Sequence, residues 1–260
     1  MKLNADVTGS GPALVLLHGF PLDRTMWDSQ VGPLAATHRV VTLDLRGQGK
    51  SEAAPGVYGM ETMAADVFET LDGLSLTEPV VLAGLSMGGY VALAAVAAKP
   101  ERIRGLILLD TRAIPDTPEA ASNRETSARK LESDGNVGEL VDGMIPRLFG
   151  ATTRATNPAL IEATRQSMLG NRPGGLAGAL RGMAVRPDRT PLLASITVPT
   201  LVVVGAEDQI STPTESESIA SAIPGARLVV IPSAGHLTPL ENPEATTQAM
   251  MTFLAELEQS

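Results

Sequence analysis

Val80-Val81-Leu82-Ala83-Gly84-Leu85-Ser86-Met87-Gly88-Gly89-Tyr90 decides the fold of this chain, together with the Val91–Ala98 run that follows it. Val80–Ala83 is a short β-branched run, and Met87–Ala98 is rich in Ala and Leu, which predicts a strand feeding a helix. Between them lies Gly84-x-Ser86-x-Gly88. At a strand-to-helix junction this pattern makes a sharp turn that strains the serine and lifts its hydroxyl clear of the sheet. Small residues are needed two before and two after it, because neighbouring backbone comes too close for side chains. The helix that starts there adds free N–H donors and a positive dipole end. A glycine-rich loop around a passive serine is the bland alternative, and the strand before and helix after count against it.

Outward from this stretch, similar apolar runs recur at Leu14–Leu17, Val40–Leu43, Leu106–Leu109, Leu201–Val204 and Leu228–Ile231. Each is apolar throughout rather than alternating, as in strands covered on both faces by helices. Helices are expected at Met60–Leu74, Met87–Ala98, Pro213–Ile223 and Pro243–Leu257, with Pro213 and Pro243 in the first turn, where proline is tolerated. The alternation implies an α/β fold with a mostly parallel sheet. Between Arg112 and Leu193 no strand is evident. Helical segments around residues 119–131, 138–148, 158–169 and 175–183 replace it, and about 80 residues far exceed an ordinary connection. We therefore expect residues 1–111 and 194–260 to form the core, and 112–193 a helical cap over one sheet edge.

Composition narrows the function classes. Among 260 residues, 29 Asp and Glu outweigh 20 Lys and Arg, for a net charge of −9 with no basic cluster, a poor match to nucleic acid or to anionic lipid. There is no Cys, which removes disulfides, thiolate metal ligands and a thiol nucleophile together. The spacing of the three His does not suggest a metal site, and no cofactor is called for. The longest apolar run, Tyr90–Ala98, falls far short of the roughly 20 residues a spanning helix needs. Met1–Asp6 does not read as a signal peptide, so the expectation is a soluble, cytoplasmic protein, monomer or homodimer.

A serine needs a base. His236, in Ala234-Gly235-His236-Leu237, follows the last strand in a loop of small residues. His18 closes the first long strand, where bracing the loop suits it, and His38 stands at a polar strand entry where solvation is expected. Elimination leaves His236. The base in turn needs an orienting carboxylate. Asp208, in Gly205-Ala206-Glu207-Asp208, lies at a strand end and preserves the order Ser, acid, His. Glu207 would point away if Asp208 points in, and Asp110, ending Leu106–Leu109, stays the alternative. For a developing oxyanion, the N–H groups of Phe20, in His18-Gly19-Phe20-Pro21, and of Met87 could converge on one oxygen.

Taken together these residues resemble the α/β-hydrolase superfamily over nearly the whole chain. The carriers are His18-Gly19-Phe20-Pro21, Asp44-Leu45-Arg46-Gly47-Gln48-Gly49-Lys50-Ser51, Gly84-Leu85-Ser86-Met87-Gly88-Gly89, Gly205-Ala206-Glu207-Asp208 and Gly235-His236. Within it the chain is similar to small bacterial carboxylesterases, 3-oxoadipate enol-lactonase-like proteins and cofactor-free haloperoxidase or perhydrolase relatives. It departs at Gln48, where many relatives carry His. Serine at 86 argues against the relatives that use an aspartate nucleophile.

The resemblance implies an eight-stranded sheet with the cap after the sixth strand. It assigns Ser86, His236 and Asp208 as the triad, with Phe20 and Met87 as oxyanion donors. It implies a serine hydrolase acting on small-molecule esters or lactones through an acyl-enzyme, by analogy with Trp27, Ile210 and Leu237 near the site. Met144, Leu148, Phe149, Met168 and Met183 of the cap are candidates for an apolar pocket, though at helical spacing such residues are more often core. The alternatives are a ligand receptor with little turnover, and thioester, amide, carbon–carbon or peracid chemistry on the same triad.

Overall fold

The computed structural model describes residues 1–259, so Ser260, the last residue of the expected core segment, lies outside the description. In chain order the elements are β1 (Ala5–Thr8), β2 (Ala13–Leu17), α1 (Asp28–Ala35), β3 (Arg39–Leu43), α2 (Met60–Gly73), β4 (Val80–Leu85), α3 (Met87–Ala98) and β5 (Ile103–Leu109). Six helices follow: α4 (Pro118–Asp134), α5 (Val137–Leu148), α6 (Ala151–Thr156), α7 (Pro158–Leu169), α8 (Pro173–Ala184) and α9 (Thr190–Leu193). The chain closes with β6 (Thr200–Gly205), α10 (Pro213–Ala222), β7 (Arg227–Ile231), α11 (Thr238–Glu241) and α12 (Pro243–Leu257).

The sheet has the order β1-β3-β2-β4-β5-β6-β7. Only β1 runs antiparallel, against β3. Among the described residues seven strands stand where eight were expected, and the helical stretch follows the fifth strand rather than the sixth. The residues ahead of β1 explain the difference. The Met1 ammonium binds Asp66 and Glu69, and Leu3 N–H donates to Thr70 Oγ1, so this segment is tied to α2 instead of extending the sheet.

β2, β4, β5 and β6 are buried along nearly their full length, which is why their sequences do not alternate. β7 is an edge strand and leaves Val230 46% exposed. The register brings the carboxyl ends of the central strands to one edge, with Leu17 beside Gly84, Leu85 beside Leu109 and Gly205 beside Ile231. The loops that follow those ends carry Phe20, Ser86, Asp110, Asp208 and His236, the usual place for a site in such a sheet.

α8 lies against the core through a glycine face. Cβ atoms built on Gly175 and Gly182 would fall 1.8 Å from Gly47 O and 1.7 Å from Tyr58 O. His38, expected in solvent, is 3% exposed, with its Nε2 3.6 Å from Glu258 just past α12. Sequence locality could not show that the C-terminal helix covers the entry to β3. No described helix is long and apolar enough to cross a membrane.

Candidate active site

The turn from β4 into α3 is built by exclusion. A Cβ on Gly84 would meet Gly88 O at 2.2 Å, and one on Gly88 would meet Leu17 O at 2.3 Å. Ser86 sits between them at φ 53°, a left-handed value that non-glycine residues rarely adopt. Its N–H donates to Leu109 O at 2.9 Å, and its carbonyl accepts from Thr111 Oγ1 at 2.7 Å, so the end of β5 and the loop just past it hold the turn.

Ser86 Oγ lies 2.8 Å from His236 Nε2, and His236 Nδ1 lies 2.9 Å from Asp208 Oδ2. An ionised carboxylate can only accept. The shared proton therefore belongs to Nδ1, which leaves Nε2 as the acceptor for the serine hydroxyl. Ser211 Oγ donates to Asp208 Oδ2 at 2.7 Å, and Ile210 N–H donates to Oδ1 at 2.7 Å. Burial by itself would raise the Asp208 carboxyl, but the neighbouring His236 ring and these donors hold it below the ordinary aspartate value.

Asp110 takes a different place. Its Oδ1 accepts from Gly205 N–H at 2.9 Å and its Oδ2 from Thr238 Oγ1 at 2.6 Å. Of the two candidate acids, Asp208 is the one hydrogen-bonded to His236, while Asp110 joins the end of β6 to the start of α11. Full burial and the nearby Asp208 charge push the Asp110 carboxyl well above the usual range. Glu207 points away, as expected, and accepts from Thr152 N–H at 2.8 Å. His18 is buried and neutral in character, because burial lowers its proton affinity. It accepts from Leu45 N–H on Nε2 and so donates from Nδ1 to Gly19 O, bracing the loop that carries Phe20.

Gly19 packs against the serine turn, since a Cβ there would stand 3.4 Å from Ser86 Cβ. This sets the Phe20 loop beside the start of α3. Met87 N–H belongs to the first helical residue and has no carbonyl to meet within its own helix.

A cavity of about 320 Å³ opens between α4, α5 and the core loops, lined by Phe20 and Ile210 below and by Leu140 and Met144 above. Met144 and Ile210 thus line it. Trp27, Leu148 and Leu237 are at most 1% exposed and stand in the core outside its wall, and Phe149, Met168 and Met183 are likewise buried.

Two positions escaped sequence reasoning. Glu241 accepts from Gly150 N–H at 2.7 Å, Gly235 N–H at 2.9 Å and Leu237 N–H at 3.1 Å, while His236 N–H donates to Leu148 O at 2.9 Å. Asn171 accepts from Gly49 N–H and donates to Pro21 O, both at 2.8 Å. No local spacing announces either residue, because their partners lie as many as 91 and 150 positions away in the chain. No group of three or more His, Cys, Asp or Glu placed to hold a metal ion occurs among the described residues.

Fold and site together place the chain in a family. Residues 12–243 match the model of the alpha/beta hydrolase fold, and the chain belongs to that family as one of its hydrolases. It is 30% identical over 258 residues to 3-oxoadipate enol-lactonase 1 of Acinetobacter baylyi, covering 98% of this chain and 94% of the relative. Among solved structures, a thermophilic esterase from Thermogutta terrifontis with malate bound superposes with a TM-score of 0.96 at 48% identity, covering 98% of this chain and 93% of that one. The enol-lactonase from Burkholderia xenovorans LB400 superposes with a TM-score of 0.90 at 32% identity, covering 97% and 96%.

Proposed function

We propose that the chain is a serine hydrolase that cleaves carboxylic esters or lactones through an acyl-enzyme. The hydrogen-bonded series Ser86–His236–Asp208 carries this reading, with Ser86 raised on a strained turn at the start of α3. His236 Nε2 removes the Ser86 hydroxyl proton as Oγ bonds to the substrate's carbonyl carbon. The carbonyl oxygen takes the negative charge and meets the N–H groups of Phe20 and Met87, where one such donor is worth roughly 10²–10³ in rate. The tetrahedral carbon then expels the alkoxide, which leaves with the proton held by His236. Water adds to the acyl group by the same route, gives its proton to Nε2 and frees Ser86. Throughout, Asp208 keeps Nδ1 protonated and balances the imidazolium charge. The relatives named as esterase and enol-lactonase support oxygen esters over other acyl compounds.

The test is hydrolysis of p-nitrophenyl esters from acetate to decanoate, wild type beside Ser86→Ala. Steady turnover that disappears in the variant is the expected result. A stoichiometric burst without further cycles would point instead to a receptor of this fold. Turnover unchanged in Ser86→Ala would overturn the mechanism.

A further inference from the structure

The cavity lined by Phe20 and Ile210 is walled by an excess of cations. α4 turns Asn123, Arg124 and Ser127 toward it, and α5 turns Leu140, Met144 and Arg147, each set along one face at helical spacing. Arg112 joins them from the loop after β5. The charges do not cancel. Arg112 is paired with Glu215 at 3.0 Å. Asp116, the acid in the wall, serves two guanidinium groups: Arg124 holds its Oδ2, and Arg186, stacked 4.3 Å from the Tyr90 ring centre, holds Oδ1 at 2.6 Å. Arg147 has no acidic partner within ion-pair distance among the described residues. Three arginines, Arg112, Arg124 and Arg147, therefore line the cavity beside one carboxylate, Asp116, in a chain whose net charge is −9.

We propose that this cavity receives a carboxylate carried by the substrate, so that the chain acts on half-esters or lactones bearing a free carboxylate, with Arg147 meeting the anion. The inference rests on the serine-hydrolase reading of Ser86. The cavity adjoins that site through two residues: Phe20, the proposed oxyanion donor, lines it, and Ile210 lines it while its N–H holds Asp208. Leu140, Met144 and Leu180 supply apolar surface for a methylene chain between the two ends of such a substrate. A guanidinium suits the distal end because its planar fork can donate two parallel hydrogen bonds to one carboxylate.

The decisive quantity is the ratio of kcat/KM for ethyl hydrogen glutarate to that for ethyl pentanoate, followed by proton release at low ionic strength. Wild type is expected to favour the half-ester by about 5- to 10-fold, and the preference should shrink in 0.5 M salt, where exposed charges are screened. Arg147→Glu, a change on an exposed helix face, should bring the ratio to one or below. A wild-type ratio near one, or a preference that survives Arg147→Glu, would overturn the proposal while leaving serine hydrolysis intact. A binding arm is independent of turnover. In Ser86→Ala protein labelled with methyl-¹³C methionine, the half-ester should shift the Met144 signal saturably and ethyl pentanoate should do so only weakly. An unresponsive Met144 signal sinks the subsite. If Ser86→Ala still turns over ester, the serine reading fails instead, and the Met144 titration decides the subsite separately.

Discussion

Ser86 is held at φ 53° between two glycines that admit no side chain, and a buried histidine meets its hydroxyl. Ser86→Ala should lower kcat/KM by about 10³-fold or more with the melting temperature little changed, because it removes the proposed nucleophile and no packed group. Asp208 and Asp110 separate by pH. The folded pKa of Asp208 is lowered, so its stabilisation is present above about pH 4 and disappears as pH falls through the folded value. That of Asp110 is raised, so its contribution is present below about pH 4 and is lost as pH rises through the folded value. The melting-temperature advantage of wild type over Asp110→Asn should therefore decline between pH 4 and 7, while that over Asp208→Asn stays flat across this range. A growing Asp110 advantage would contradict the assignment. Asp208→Asn should also cost more activity than Asp110→Asn, since only Asp208 touches His236.

The elements divide by how local their causes are. Met87–Ala98 and Pro243–Leu257 were legible to the residue, because a glycine turn, a first-turn proline and an unbroken apolar composition all act within a few positions. The placement of Ser86, His236 and Asp208 was legible for the same reason, each standing just past a recognisable strand. β1 was not, since four residues with one half-buried and three exposed side chains carry no apolar run. The glycine face of α8 was equally silent, because its meaning lies in Tyr58 and Gly47, far earlier in the chain. That face gives a paired test. Gly182→Ala would thrust a methyl group into Tyr58 O and should destabilise by about 1–3 kcal/mol, lowering the melting temperature by several degrees. Gly174→Ala, on the same helix with nothing within 4 Å of the new Cβ, should be neutral or mildly stabilising.

At the scale of the whole molecule, the helices between β5 and β6 are fastened to the sheet at the site itself. Glu241 grips Gly150 on one side and the His236 loop on the other, and His236 N–H is held by Leu148 O. Core and helical layer should accordingly unfold in one calorimetric transition. Glu241→Ala should speed amide exchange at Gly150, Gly235 and Leu237 and lower kcat about 10-fold with a smaller change in KM, the sign of a displaced His236 ring. Unaltered exchange at those amides would refute this role for Glu241. Asn171 does the same for the Phe20 loop, gripping Pro21 O from the junction of α7 and α8. Anyone who grafts the helical layer of one such protein onto the sheet of another must therefore carry Leu148, Gly150 and Asn171 across with it. A chimera that matches only the outer helices would keep Ser86 and His236 but leave behind the contacts that hold the His236 and Phe20 loops in place.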